Sequence, residues 1–227
     1  MKTLGILGGM GSSASIRFYE SLIHESRYQM KAEKNDQYPH LIISNLPVPD
    51  LIKDKKMMES AITMVQNEAV KLEKFGAEAL VIACNTMHLF MEEFNKSVKI
   101  PFISIIDTVI ENAVNDGRKC IGILGTKTLM QSGLYQDKLK NFGISSLTLP
   151  KNDQDKLSEI ILKIIAGDIY HSDIEQLDSY VHKFKRLGAD SVILGCTELP
   201  LVLKASHLPL YNSIDLLAKK ACKWIYE

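Results

Sequence analysis

The sequence predicts an α/β fold built from two similar domains, and three observations carry that expectation. Short apolar runs alternate with amphipathic stretches, turn-forming residues separate them, and the two halves of the chain repeat each other. The apolar runs lie at 3–8, 40–45, 79–84, 102–104, 120–125, 145–149, 191–196 and 208–211, and none alternates between apolar and polar. Strands of that kind are buried on both faces of a parallel sheet. The intervening stretches have helical spacing: in 56–75, Met57, Ala61, Met64, Val65 and Leu72 fall on one stripe. Repeated βαβ units predict parallel sheets flanked by helices, with right-handed crossovers.

The repeat is explicit. Phe75-Gly-Ala-Glu-Ala-Leu-Val-Ile-Ala-Cys84 aligns without gaps on Leu187-Gly-Ala-Asp-Ser-Val-Ile-Leu-Gly-Cys196, at an offset of 112. Leu4-Gly-Ile-Leu-Gly8 matches Ile121-Gly-Ile-Leu-Gly125 at 117, and PFISIID (101–107) matches PLYNSID (209–215) at 108. The first domain is read as 1–98 with a C-terminal helix, 212–227, and the second as 99–211. Two copies of one unit are expected to pack about a pseudo-two-fold axis. Their strand ends would then face a shared cleft, the side on which open parallel sheets bind ligands.

Composition narrows the function classes. The 227 residues carry 27 Lys plus Arg against 27 Asp plus Glu, so no basic footprint for nucleic acid or an anionic membrane is present. No apolar run approaches the roughly 20 residues that span a bilayer, and the N-terminus begins a strand where a leader would have an apolar core. Cys84, Cys120, Cys196 and Cys222 form no CxxC pair. They read as free thiols of a cytoplasmic protein, and no disulfide framework, metal site or cofactor is expected.

Two of these thiols occupy equivalent places. Cys84 and Cys196 each end a strand, and each opens a polar run before an expected helix: Cys84-Asn-Thr-Met-His and Cys196-Thr-Glu-Leu-Pro. A thiol at a helix N-terminus sees backbone N–H groups that lower its pKa from a free value of ~8.5. The same N–H groups, with the side chains of Asn85, Thr86 and Thr197, offer a cradle for a carboxylate. Thiols on opposite sides of one carbon could remove a proton from one face and return one to the other. Glu198 is placed to accept an ammonium group or to assist Cys196. His88 could tune Cys84, although such a residue more often packs.

Three motifs carry a resemblance: Gly-Ile-Leu-Gly-Gly-Met-Gly (5–11), Ala-Cys-Asn-Thr-Met-His (83–88) and Leu-Gly-Cys-Thr-Glu-Leu (194–199). In this order they resemble the signatures of the aspartate/glutamate racemase family. The resemblance implies an isomerase, a racemase independent of pyridoxal phosphate, with Cys84 and Cys196 as the proton-transferring pair and usually a homodimer. It implies Met10, Gly11, Asn85, Thr86, Thr126 and Thr197 as substrate contacts. Gly9-Met10-Gly11 and Thr197-Glu198 resemble the aspartate racemase branch. Leu51 and Ile165 stand where that branch is expected to carry cationic anchors for the distal carboxylate; Lys53 and Lys55 are the basic residues nearest Leu51, and Lys53 or Lys127 could substitute.

Other readings remain open. A maleate isomerase, a hydantoin racemase-like enzyme or a non-catalytic amino-acid-binding sensor would share the architecture. Gly9-Met10-Gly11-Ser12-Ser13-Ala14 satisfies a dinucleotide fingerprint, but the second strand ends in Asn45 without the expected acid. Asp107 and Asp215 match across the repeat and are expected to cap helices, and Met57, Met58 and Met64 to pack in a core or lid.

Overall fold

The structure, a computed structural model, describes residues 1–49 and 55–227. The chain divides into two compact units, residues 1–105 with 214–227 and residues 106–213. The boundaries expected from sequence, 98/99 and 211/212, fall slightly early. Residues 101–103 stay with the first unit because Leu80 N–H donates to Pro101 C=O (2.9 Å) and Ile103 N–H to Leu80 C=O (2.8 Å).

The first unit contains β1 (Leu4–Gly8), α1 (Ser12–Tyr28), β2 (Leu41–Asn45), α2 (Lys55–Lys74), β3 (Ala79–Ile82), a 3-10 turn (Thr86–Phe90) and α3 (Met91–Ser97). Its sheet runs β2-β1-β3, all parallel. The run 102–104 adds only a single parallel bridge, Phe102 to Leu80, instead of the expected strand, because the next helix, α4 (Ile105–Asn115), starts at once. The second unit contains β4 (Cys120–Gly125), α5 (Lys127–Ser132), α6 (Leu134–Asn141), β5 (Ser145–Leu147), α7 (Lys151–Ala166), α8 (His171–Arg186), β6 (Ser191–Gly195), α9 (Leu199–Val202) and β7 (Leu210–Asn212). Its sheet runs β5-β4-β6-β7, again all parallel. The final helix, α10 (Ser213–Tyr226), belongs almost wholly to the first unit.

Every residue of β1, β3 and β6 is buried, as unalternating apolar strands require. In the first unit Ala61, Val65, Ala69 and Leu72 of α2 are buried, and Val65, Ala69 and Leu72 pack with Leu7, Leu80 and Phe94. Met57, expected on that stripe, is 46% exposed. In the second unit Leu157, Ile161, Leu177 and Phe184 from α7 and α8 pack on Leu124, Val192 and Leu194. Full burial of each such side chain contributes roughly 1.5–3 kcal/mol.

The repeat has structural counterparts in residue detail. Gly76 and Gly188 turn the chain from helix to strand at φ of +99° and +94°, a region that side chains with a Cβ rarely adopt. Two residues on, Glu78 and Asp190 hold the beginnings of the neighbouring strands. Glu78 Oε2 accepts from Thr3 N–H (2.7 Å), and Asp190 Oδ2 accepts from Lys119 N–H (2.7 Å) and Cys120 N–H (3.2 Å). Their own N–H groups donate back, to Thr3 C=O and Cys120 C=O, both at 2.8 Å. Asp107 and Asp215 are the third residues of their helices, and they do not sit at the cap position. Asp107 pairs with Lys138, whereas Asp215 accepts from Arg17 (3.2 and 3.0 Å) and from Ser21 Oγ (2.5 Å).

Burial is the largest influence on the Asp190 carboxyl and acts upward. The N–H groups of Lys119 and Cys120, the Ser191 hydroxyl and the Arg118 charge outweigh it and hold Asp190 below the usual carboxylate range. A depressed carboxyl adds stability above its unfolded value of ~3.9, and loses it as pH falls through the folded value. In Asp190→Asn, the fall in denaturant midpoint on acidification below about pH 5 should therefore be shallower than in the parent chain. Identical acid slopes would remove the clamp from the account.

Candidate active site

The residues singled out by sequence lie at the carboxyl ends of the strands in each unit. In the first unit, Gly9, Met10 and Gly11 join β1 to α1. Gly9 has φ +89°, and a Cβ there would lie 2.4 Å from Leu46 C=O, so this loop can pass the end of β2 only as glycine. Gly11 takes the N-cap position of α1 in an extended conformation. Gly9 N–H donates to Ser15 Oγ (2.9 Å), which in turn donates to Gly11 C=O (3.0 Å). Asn45, at the place the dinucleotide fingerprint reserves for an acid, accepts from Ser12 Oγ at 3.3 Å. Met10 and Gly11 are half-buried.

Cys84 lies two residues past the end of β3 and is half-buried; Asn85 and Thr86 after it are buried. The turn is held by His88. Its Nε2 accepts from Ile105 N–H (3.1 Å), which leaves the proton on Nδ1 to donate to Cys84 C=O (2.9 Å). His88 thus links the cysteine's backbone to the first residue of α4, and is 4% exposed.

In the second unit Cys196 follows β6 directly and is 5% exposed. Its thiol donates to Glu198 Oε2 at 3.0 Å, and Thr197 Oγ1 donates to the same oxygen at 3.1 Å. Thr197 and Glu198 are themselves buried. One carboxylate oxygen thus collects two donors, so Glu198 can take the thiol proton or hand it back. Thr126, after β4, is half-buried and caps α5 by accepting from Leu129 N–H at 3.2 Å.

Three expectations change here. The helices after the cysteines are short: a five-residue 3-10 turn after Cys84 and the four-residue α9 after Cys196. Such elements have little macrodipole, and the electrostatics rest on individual donors and on Glu198. Lys127, one candidate anchor, is paired with Asp155 (2.6 Å), and Ile165 is 45% exposed on α7. Leu51, Lys53 and the side chain of Lys55 lie outside the described residues. Sequence spacing revealed no set of metal ligands, yet Asp178, His182 and His207 bring ligand atoms within 4.8 Å of one another. Asp178 and His182 are one helical turn apart on α8, a signal present in the sequence; His207 joins them only through the fold.

A family model described as Asp/Glu/hydantoin racemase matches residues 7–221. The chain is 29% identical over 221 residues to the broad specificity amino-acid racemase RacX of Bacillus subtilis (strain 168), covering 95% of each. Among solved structures it is similar to Picrophilus torridus aspartate racemase, with a TM-score of 0.86, 28% identity and coverage of 100% of this chain and 95% of that one. It is also similar to an aspartate racemase homologue from Pyrococcus horikoshii OT3, with a TM-score of 0.84, 30% identity and full coverage of both. With two α/β units of parallel sheets and these relatives, the chain is an isomerase of the racemase class. The chain belongs to the Asp/Glu/hydantoin racemase family. Among the described residues no helix is long and apolar enough to cross a membrane.

Cys222 separates cleanly from the half-buried Cys84. Burial pushes the Cys222 thiol up; Ser26, its hydrogen-bond partner, works against this and Glu25 with it. With Cys222 only 1% exposed, iodoacetamide near neutral pH should modify Cys84 well before Cys222. Peptide mass mapping over time checks this order, and equal rates would contradict it.

Proposed function

We propose that this enzyme interconverts the L- and D-forms of an amino acid, aspartate ahead of glutamate, by proton transfer at Cα between Cys84 and Cys196. In this reading the thiols stand on opposite sides of the substrate carbon. One, as thiolate, removes the α-proton; the other, as thiol, protonates the planar intermediate from the far face, and the roles reverse for the other enantiomer. The reaction needs no pyridoxal phosphate and no metal. N–H groups and side chains of Met10, Gly11, Asn85, Thr86, Thr126 and Thr197 would hold the α-carboxylate and stabilise the charge that develops on it. The single observation that carries the proposal is the Cys196–Glu198 contact of 3.0 Å. A buried carboxylate accepting from that thiol gives its proton a place to go, which a merely structural cysteine does not require.

Substrate breadth is a second reading with its own support. The relative from Bacillus subtilis is a broad specificity racemase, and Ile165 stands exposed where a cation was expected. A pocket without fixed cations would discriminate side chains by shape more than by charge. Incubating single enantiomers of a panel of amino acids in D2O, with Cα exchange read by NMR, separates the two readings. Turnover confined to aspartate and glutamate favours the narrow one; turnover of neutral amino acids favours the broad one. Conversion of maleate, or tight binding of an amino acid without turnover, would favour the alternative enzymes or the sensor.

Cys84→Ala and Cys196→Ala should each reduce interconversion by at least ~10²-fold. Each single variant should retain Cα–H exchange for only one enantiomer, and the two variants for opposite ones. Racemisation by the double variant would refute the two-thiol mechanism. We also assign a cytoplasmic homodimer, on the family resemblance; a monomer by sedimentation equilibrium would overturn that assembly.

A further inference from the structure

The structure assigns a second site to the molecule: Asp178, His182 and His207 form a binding site for a divalent transition cation of the zinc, nickel or copper kind. All three residues lie in the second unit, Asp178 and His182 on α8 and His207 in the loop from α9 to β7. None of them belongs to the polar runs that follow Cys84 and Cys196.

The donor set and its spacing carry the inference. Asp178 Oδ2 lies 3.4 Å from His182 Nε2. Ligands about 2.0–2.1 Å from a tetrahedral ion stand about 3.3–3.4 Å apart along an edge, so this pair already has the separation coordination requires. The ring of His207 lies 4.1 Å from that of His182, centroid to centroid, with the planes 47° apart. Rings tilted in this way, unlike rings stacked flat, can turn a nitrogen each toward a common point beside the carboxylate. All three ligand atoms fall within 4.8 Å of one another. Ser206 Oγ donates to Asp178 Oδ1, the other carboxylate oxygen, and fixes the orientation of the ligand.

Two imidazoles with one carboxylate suit ions of intermediate softness, while calcium and magnesium prefer oxygen alone. His207 is exposed and the side chains of Asp178 and His182 are 35% and 46% exposed, so water can complete the coordination sphere. The ion would tie the loop before β7 to the middle of α8. That loop continues from α9, which follows Cys196-Thr197-Glu198, so the cation would brace the segment carrying the second thiol.

The test uses the full chain stripped with a chelator and titrated with zinc by calorimetry. One equivalent per chain at micromolar concentration is expected, together with a rise in thermal midpoint. Because thiols also bind zinc, the Cys84→Ala/Cys196→Ala double variant is titrated in parallel and should retain that equivalent. His182→Ala and His207→Ala should each weaken binding by at least about tenfold and remove the rise in midpoint, while Ser206→Ala weakens it less. His207 is exposed, so its variant should match the zinc-free parent in stability. Binding unchanged in the histidine variants, lost with the cysteines, or seen only at millimolar zinc would overturn the site.

Discussion

Register between parallel strands is the constraint on which the site depends, and two carboxylates hold it. When a strand is buried on both faces, a slip along its neighbour moves one apolar residue into another's place. Hydrophobic patterning then specifies register weakly, unlike in a sheet with one wet face. Glu78 and Asp190 supply what the pattern lacks. Each closes a two-way link, its side chain and its own N–H both bonded to the start of the neighbouring strand. Leu4 is thereby set opposite Ala79, and Ile121 opposite Ser191. From that register the cysteines emerge at the far ends of β3 and β6, next to the turns that follow β1 and β4.

The two halves reach this arrangement by different chemistry after the cysteine. Where the first has Asn85-Thr86, the second has Thr197-Glu198, and where the first has His88, the second has Pro200. His88 fixes its turn through both ring nitrogens, one accepting from Ile105 N–H and the other donating to Cys84 C=O. Pro200, in the first turn of α9, fixes its own φ through its ring. A duplicated scaffold has thus kept its strands and clamps and differs at the positions that follow the thiols. Only Cys196 has a carboxylate two residues on; at the corresponding place after Cys84 stands Thr86.

Much of the fold was legible because its signals are local or repeated. The unalternating strands β1, β3 and β6, most of the stripe on α2 and the gapless match ending in Cys84 and Cys196 read directly onto the structure. Signals that depend on distant partners were not legible. Phe102 looks like part of a strand until α4 begins three residues later. Met57 has the spacing of a core residue and lies on the surface. Glu78 and Asp190 align within the repeat, yet nothing local says their partners are backbone N–H groups of other strands. At the site, the types Asn85, Thr86, Thr197 and Glu198 were readable, whereas the shared Glu198 oxygen and the two-sided role of His88 required coordinates. His207 comes near α8 only through the path of the loop after α9.

The division of the chain carries a consequence for biogenesis. Residues 106–213 form one uninterrupted segment, whereas residues 1–105 are completed by 214–227, which follow the entire second unit along the chain. On a ribosome, domains ordinarily mature from the N-terminus onward. Here the order is inverted: the second unit has all its segments in hand while the first still lacks α10, whose Ile214, Leu217, Ala218, Ala221 and Ile225 are all buried. The half of the enzyme that is made first is thus the last to close its core.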